Sequence, residues 1–322
     1  MKAIVQDRYG ASEVLSLQDV ERPVPGKGQV LLRVHAASLH IGDWHLMTGT
    51  PYLVRLGFGL RGPRARVRGM DVAGRVEAVG EGVTSFTPGD EVFGSGEGTL
   101  AEYACAKAEQ LVLRPAGLTP EQAAAVPTSA ATALQALKEQ GGVQPGQRVL
   151  VIGASGGVGL YAVQLAKAFG AHVTGVCSTG KAELVRSLGA DAVVDYTRED
   201  VTASGQRYDL VLDCGGNRPL SALRRVLAPK GTLVIVGGEE GGKWFGGMGR
   251  PLGALALGLF VGQKFKMLVS LVRQKDLQEL SALLAAGKVR PVIDRTFPLA
   301  EGREAMHALE GGRARGKLVV TA

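Results

Sequence analysis

The chain has 322 residues, more than one ordinary core accommodates, and reads as about two domains. Hydrophobic residues make up 45% and charged residues 21%, the balance of a globular protein rather than a disordered or fibrous one. The net charge of +7 is spread over scattered basic residues without interleaved aromatics, which argues for a solvated surface with one anion pocket and against a nucleic-acid track.

The start of the chain, MKAIVQDRYG, lacks a signal-peptide core. No apolar run reaches the roughly 18 residues that a membrane span needs. Cys105, Cys177 and Cys214 lie far apart and form no paired motif, so a reducing, cytoplasmic setting is expected.

Residues 1–125 read mainly as short strands between glycine-rich turns: Met1–Gln6, Gln29–Ala37, Asp71–Val79, Asp90–Gly94, Ala101–Ala106 and Gln110–Leu113. That pattern predicts a barrel-like β domain. The period changes at Thr119-Pro120-Glu121-Gln122, which has the capping threonine, early proline and acid of a helix start. A helix over Ala130–Lys138 follows, and then strands alternate with helices. The strands are Arg148–Ile152, His172–Cys177, Ala192–Val194, Asp209–Asp213 and Thr232–Val236, with helices over Lys181–Leu188 and Pro219–Leu227. This is the pattern of a doubly wound α/β domain.

The stretch Gly237–Gly262 carries Trp244, Phe245, Pro251 and the apolar run Ala254–Val261. It suits a core or interface helix, a dimer strand, a substrate lid or a membrane-surface foot. Beyond it come an amphipathic helix over Asp276–Ala286 and strands over Val292–Phe297 and Lys317–Val320, which return to the first domain. The predicted division is 1–125 completed by 268–322, with a nucleotide domain over 126–267 inserted between them.

Within that inserted domain, the strand Arg148–Ile152 runs directly into Gly153-Ala154-Ser155-Gly156-Gly157-Val158-Gly159 and then an apolar helix. Strand, glycine turn and helix together form a dinucleotide fingerprint. Glycines let the backbone approach a pyrophosphate, and the free N–H groups at the helix start hold its charge. An acid at the end of the second strand would bind the adenosine ribose hydroxyls and select NAD. Here Cys177 ends that strand, and Ser178, Thr179 and Lys181 follow it. Hydroxyls and an ammonium suit a 2′-phosphate, so NADPH is the expected cofactor.

On these motifs the chain resembles the medium-chain dehydrogenase/reductase superfamily, in its zinc-free, quinone-oxidoreductase-like branch. The resemblance rests on Ala36–Trp44, Gly69–Val83, Pro88–Val92, Ala124–Leu137, the glycine turn and Gly311–Val320. It implies a Rossmann sheet inserted into a GroES-like β-barrel domain, NADPH in the cleft between the two, and commonly a homodimer. By position it implies pyrophosphate contacts at Gly153, Ser155, Gly156, Gly157 and Val158. The 2′-phosphate side falls at Ser178 and Lys181 with Tyr196 nearby, and the nicotinamide end at Thr128 and Lys317. Members reduce quinones or the C=C bond of α,β-unsaturated carbonyls.

One departure stands out. His40 occupies a slot that is usually Asn in this branch and a zinc-binding Cys in zinc-dependent relatives. Met70-Asp71 and Thr128 stand where those relatives hold further ligands, so no metal is expected. His40 and Tyr52 are the candidate hydrogen-bond donors to a substrate carbonyl, with Asp43 and Asp71 expected to anchor loops. Two alternatives stay open: a zinc-independent alcohol dehydrogenase or carbonyl reductase, and a non-catalytic NADPH-binding protein.

Overall fold

A computed structural model describes residues 1–237, 242, 244 and 261–322. Apart from Gly237, Gly242, Trp244, Val261 and Gly262, the stretch 237–262 lies outside the described residues, and with it most of the apolar run read from the sequence. The chain divides into two compact units. One comprises Met1–Ala131, Leu271–Gly287 and Pro291–Ala322; the other comprises Thr132–Ser270 and Lys288–Arg290.

The first unit is mostly β. Strands β1 (Lys2–Gln6) and β2 (Leu15–Asp19) pair antiparallel. A second sheet is built from β3 (Gln29–Leu39), β4 (Asp71–Val79), β5 (Glu91–Ser95), β6 (Tyr103–Lys107) and β7 (Leu111–Leu113), joined late in the chain by β14 (Ile293–Pro298) and β15 (Lys317–Thr321). Its order is β14-β15-β3-β4-β5-β7, with β6 also paired to β3. Val30, Leu32, Val34, Val72, Val76 and Val92 form one core cluster. Most are valines, whose β-branched side chains favour strands because they pack on a half-buried pleat. Strand β15 brings Lys317 into the sheet opposite Ile293 on β14, one residue before Leu318, which pairs with Leu39 on β3.

Helices α1 (Ile41–Thr48) and α2 (Val54–Phe58) follow β3. Helix α3 (Pro120–Ala124) starts as its sequence predicts: Thr119 Oγ1 accepts from Gln122 N, and Gln122 Oε1 accepts from Thr119 N. Helix α4 (Pro127–Gln135) follows and ends in a π-helical turn over Ala136–Gln140, so the expected helix Ala130–Lys138 begins earlier and changes its winding.

The second unit holds a six-stranded, wholly parallel sheet. Its strands are β8 (Arg148–Ile152), β9 (His172–Cys177), β10 (Ala192–Asp195), β11 (Tyr208–Asp213), β12 (Leu227–Ile235) and β13 (Lys264–Met267). The order is β10-β9-β8-β11-β12-β13, the dinucleotide-fold order with its reversal between β8 and β11. Helices α5 (Gly157–Ala168), α6 (Ala182–Ser187) and α7 (Leu220–Arg225) connect the strands. All of β8 after Arg148 is buried, which is why it reads as an unbroken apolar run rather than an alternating one. The first unit also includes α8 (Gln274–Ala285) and α9 (Gly302–Glu310).

Helix α5 leaves β8 so sharply that Gly159 sits on the turn itself. A Cβ there would stand 2.1 Å from Gly153 O and 2.8 Å from Ala154 Cα. Alanine normally favours a helix over glycine by about 1 kcal/mol. At this position the backbone clash wins, and Gly159→Ala is expected to lower stability by about 1–3 kcal/mol in a denaturant titration.

Candidate active site

The residues singled out from the sequence fall into two groups, one in each unit. In the second unit, Gly153 takes φ +77° at the end of β8. Its N–H and that of Ala154 donate to Val176 O on β9, at 3.1 and 3.0 Å. Gly156 N then donates to Gly153 O, which closes the turn before α5 begins. The first N–H groups of α5 have no acceptor within the helix and stand at its positive end, an arrangement that holds anions. Backbone packs on backbone around this turn. A Cβ on Gly153 would meet Gly215 N at 3.2 Å, and one on Gly237 would meet Cys214 O at 2.8 Å. Main chain thus packs closely on main chain at the ends of β8, β11 and β12. Gly153, Ser155 and Gly156 lie in this turn and Gly157 and Val158 open α5, with Ser155 buried.

Beside it, β9 ends at Cys177, and Ser178 opens a short 3-10 turn over Thr179–Lys181. Tyr196 N donates to Cys177 O, so Ser178, Lys181 and Tyr196 gather at the ends of two neighbouring strands. Burial pushes the Cys177 thiol up, and Asp195 adds to that, whereas the Arg186 and Lys181 charges pull it down. The strand-end slot of β9 carries no acid, but Asp195 on β10 stands directly across from Cys177. Its carboxylate accepts from Thr179 Oγ1, from Thr197 N at 3.0 Å and from Thr197 Oγ1 at 2.7 Å, with Arg198 Nε 3.6 Å away. These donors, Thr179 first, hold the carboxyl below its usual range. The Thr179 hydroxyl proton is spent on Asp195, so Thr179 is not a donor to a ligand in this arrangement.

In the first unit a polar network lies inside the core. Asp71, at the start of β4, is fully buried. Its Oδ1 accepts from Thr128 N at 3.0 Å and Thr128 Oγ1 at 2.6 Å, and its Oδ2 accepts from Ser38 Oγ at 3.2 Å. Lys317 Nζ is 3.9 Å from Asp71 Oδ2 and donates to Ser129 Oγ at 3.0 Å. Burial pulls the Lys317 ammonium down, and Asp71 and Asp43 push it back up. The expected nicotinamide-end residues Thr128 and Lys317 are therefore joined through one carboxylate. Asp71 is the organising residue, which the sequence alone marks only as a loop anchor.

His40 caps α1. Its Nδ1 accepts from Gly42 N at 3.0 Å, and Asp43 Oδ2 accepts from His40 N at 3.0 Å. The cap requires glycine at 42, because a Cβ there would lie 2.7 Å from the imidazole. With Nδ1 accepting, a neutral ring carries its proton on Nε2. That nitrogen is buried, lies 3.5 Å from Asp43 Oδ2 and makes no hydrogen bond among the described residues. Burial pushes the Asp43 carboxyl up; His40, through its charge and backbone bond, and Lys317 oppose this, while Asp71 reinforces it. Tyr52 stacks against Arg55, whose guanidinium lies 4.4 Å from the Tyr52 ring centre and 4.6 Å from that of Tyr9.

Known proteins share both halves. Residues 26–116 match the alcohol dehydrogenase GroES-like domain, and residues 188–320 match a family described as zinc-binding dehydrogenase. The mitochondrial NAD(P)H oxidoreductase RTN4IP1 of Mus musculus is 36% identical over 351 residues, covering 99% of this chain and 89% of that protein. The chain belongs to the quinone-oxidoreductase-like medium-chain dehydrogenases/reductases. The 2-methylene-furan-3-one reductase of Solanum lycopersicum is 34% identical, covering 99% of this chain and 79% of that protein. The structure of the quinone oxidoreductase from Coxiella burnetii superposes with a TM-score of 0.88 at 31% identity, covering 100% of this chain and 99% of that one. The fold is thus a GroES-like domain with a Rossmann domain, and the protein is an oxidoreductase that uses a nicotinamide cofactor.

One matched family is described as zinc-binding, so the lone pairs that this medium-chain dehydrogenase/reductase could offer a metal matter. A zinc site needs about three lone-pair donors. His40 Nδ1 is taken by Gly42 N–H and Nε2 carries the proton; both Asp71 oxygens are committed to Thr128 and Ser38, and Met70 and Thr128 are poor ligands. No group of three or more His, Cys, Asp or Glu residues suited to a metal occurs among the described residues. These residues do not fit zinc.

Two outcomes follow from this geometry. His40→Ala removes the cap and is expected to cost about 1 kcal/mol, whereas His40→Asn, a good cap, keeps most of it; thermal melts distinguish them. Asp71→Asn and Lys317→Met each strand a buried partner and are expected to cost about 3–5 kcal/mol alone. The double variant is expected to cost less than the sum of the two, and a double-mutant cycle with zero coupling would contradict the pairing.

Proposed function

We propose that this protein is an NADPH-dependent reductase of quinones or of the C=C bond in α,β-unsaturated carbonyls. The observation that carries the reading is the engaged state of His40 and Asp71: carbonyl activation falls to N–H and O–H donors rather than to a metal ion. Donors of that kind suffice for soft acceptors, whose carbonyl oxygen gathers charge as the adjacent unsaturated system is reduced. The relatives named for a quinone and for a methylene-furanone support the same substrate class.

The cofactor supplies hydride when bound. The α5 turn at Gly153, Ser155, Gly156, Gly157 and Val158 holds its pyrophosphate, and Ser178, Lys181 and Tyr196 take the 2′-phosphate. Thr128 and Lys317, fixed through Asp71, position the nicotinamide end. His40 Nε2–H donates to the substrate carbonyl. This buried nitrogen, 3.5 Å from Asp43 Oδ2, makes no hydrogen bond among the described residues, which favours an acceptor from outside the chain. Tyr52 is the second donor. Bulk water supplies the final proton. A homodimer in the cytoplasm completes the reading.

Steady-state NADPH oxidation against quinones, enones and simple ketones tests it. Turnover is expected with the first two, with kcat/KM for simple ketones lower by about a hundredfold. Removing the donor in His40→Ala is expected to lower kcat on enones by about tenfold or more. Equal turnover of simple ketones, or one tightly held zinc per chain on metal analysis, would overturn the proposal.

A further inference from the structure

We propose that the loop at residues 53–66 is a docking surface for an anionic lipid membrane. Leu56, Phe58 and Leu60 are 64%, 52% and 68% exposed, and Leu53 is 38% exposed. Large apolar side chains so close together in sequence mark an interaction site rather than ordinary surface scatter. The loop is built to display them. Arg64 N donates to Phe58 O at 2.8 Å, and Tyr9 Oη donates to Gly59 O at 2.6 Å, which closes and anchors the segment. Gly59 takes φ +122°, and a Cβ on it would stand 2.0 Å from Gly62 O, so the closure depends on glycine.

The charge of the segment identifies the partner. From Trp44 to Met70 the sequence holds five arginines and no Asp or Glu. Arg66 pairs with Asp7, whereas Arg61 and Arg64 make no ion pair among the described residues. Apolar tips flanked by exposed guanidinium groups match the acyl boundary and the phosphate layer of an anionic bilayer.

A second copy of the chain fits poorly. In a two-fold contact the same segment of the second copy would bring its own arginines, and no acid, against this one. A stable protein interface also uses roughly 800 Å² per partner, more than a few side chains of one short loop provide. The test of this surface does not depend on turnover.

Vesicle co-sedimentation decides the matter, with phosphatidylcholine vesicles compared against vesicles that also contain phosphatidylglycerol. Binding is expected only with the anionic lipid and is expected to fall as salt is raised. Both Leu56→Ser/Phe58→Ser/Leu60→Ser and Arg61→Gln/Arg64→Gln are expected to weaken it about tenfold or more while the thermal melt stays unchanged. Equal binding to neutral vesicles, binding unaffected by either variant, or no vesicle binding would overturn the proposal. So would an oligomer that the apolar variant dissolves, because it would assign the patch to a second copy.

Discussion

The second unit depends on one steric constraint: main chain must touch main chain where β8 turns into α5. Gly159 presses on Gly153 O, Gly153 approaches Gly215, and Gly237 approaches Cys214. At Gly159 and Gly237 a Cβ would collide with main chain, and at Gly153 it would be crowded on a backbone of positive φ. The result is a flat floor at the sheet's reversal point, with unspent N–H groups at a helix start beside it. A shape of this kind suits a phosphate, since charge-bearing oxygen can approach where a Cβ cannot.

The first unit uses the opposite device. Instead of clearing side chains away, it buries charged ones and ties them together. Asp71 accepts three hydrogen bonds and faces Lys317, so a lysine near the chain's end is fixed to a threonine in the middle of the chain. Such a pair contributes little net stability, because desolvation offsets attraction. What it fixes is geometry, and breaking either partner leaves the other stranded. The same economy governs α1, where His40 serves as a cap and its buried Nε2 makes no hydrogen bond among the described residues.

How much of this was legible in the sequence depends on range. The glycine turn and the Thr119 cap are local patterns, and both appear where the residues place them. Strands β4 and β9 match their expected spans because alternation or an apolar run marks them directly. Helix α1 was not visible: its capping residue is a histidine, which is not among the usual caps. Strand β13, Lys-Phe-Lys-Met, is too short and too charged to announce itself. The link from Asp71 to Thr128 and Lys317 joins residues far apart in the chain, and no spacing encodes it. Asp195 was hidden for a related reason: it stands on β10, and only strand pairing brings it beside the end of β9.

The most direct measurement is a pair of dissociation constants, for NADPH and for NADH, from fluorescence titration of the wild-type protein and of Lys181→Ala. NADPH is expected to bind about tenfold or more tightly than NADH, through charge-assisted bonds to the 2′-phosphate. Lys181→Ala is expected to remove most of that difference while leaving NADH affinity unchanged. Equal affinities in the wild type, or tighter binding of NADH, would contradict the assignment of this strand end to a phosphate.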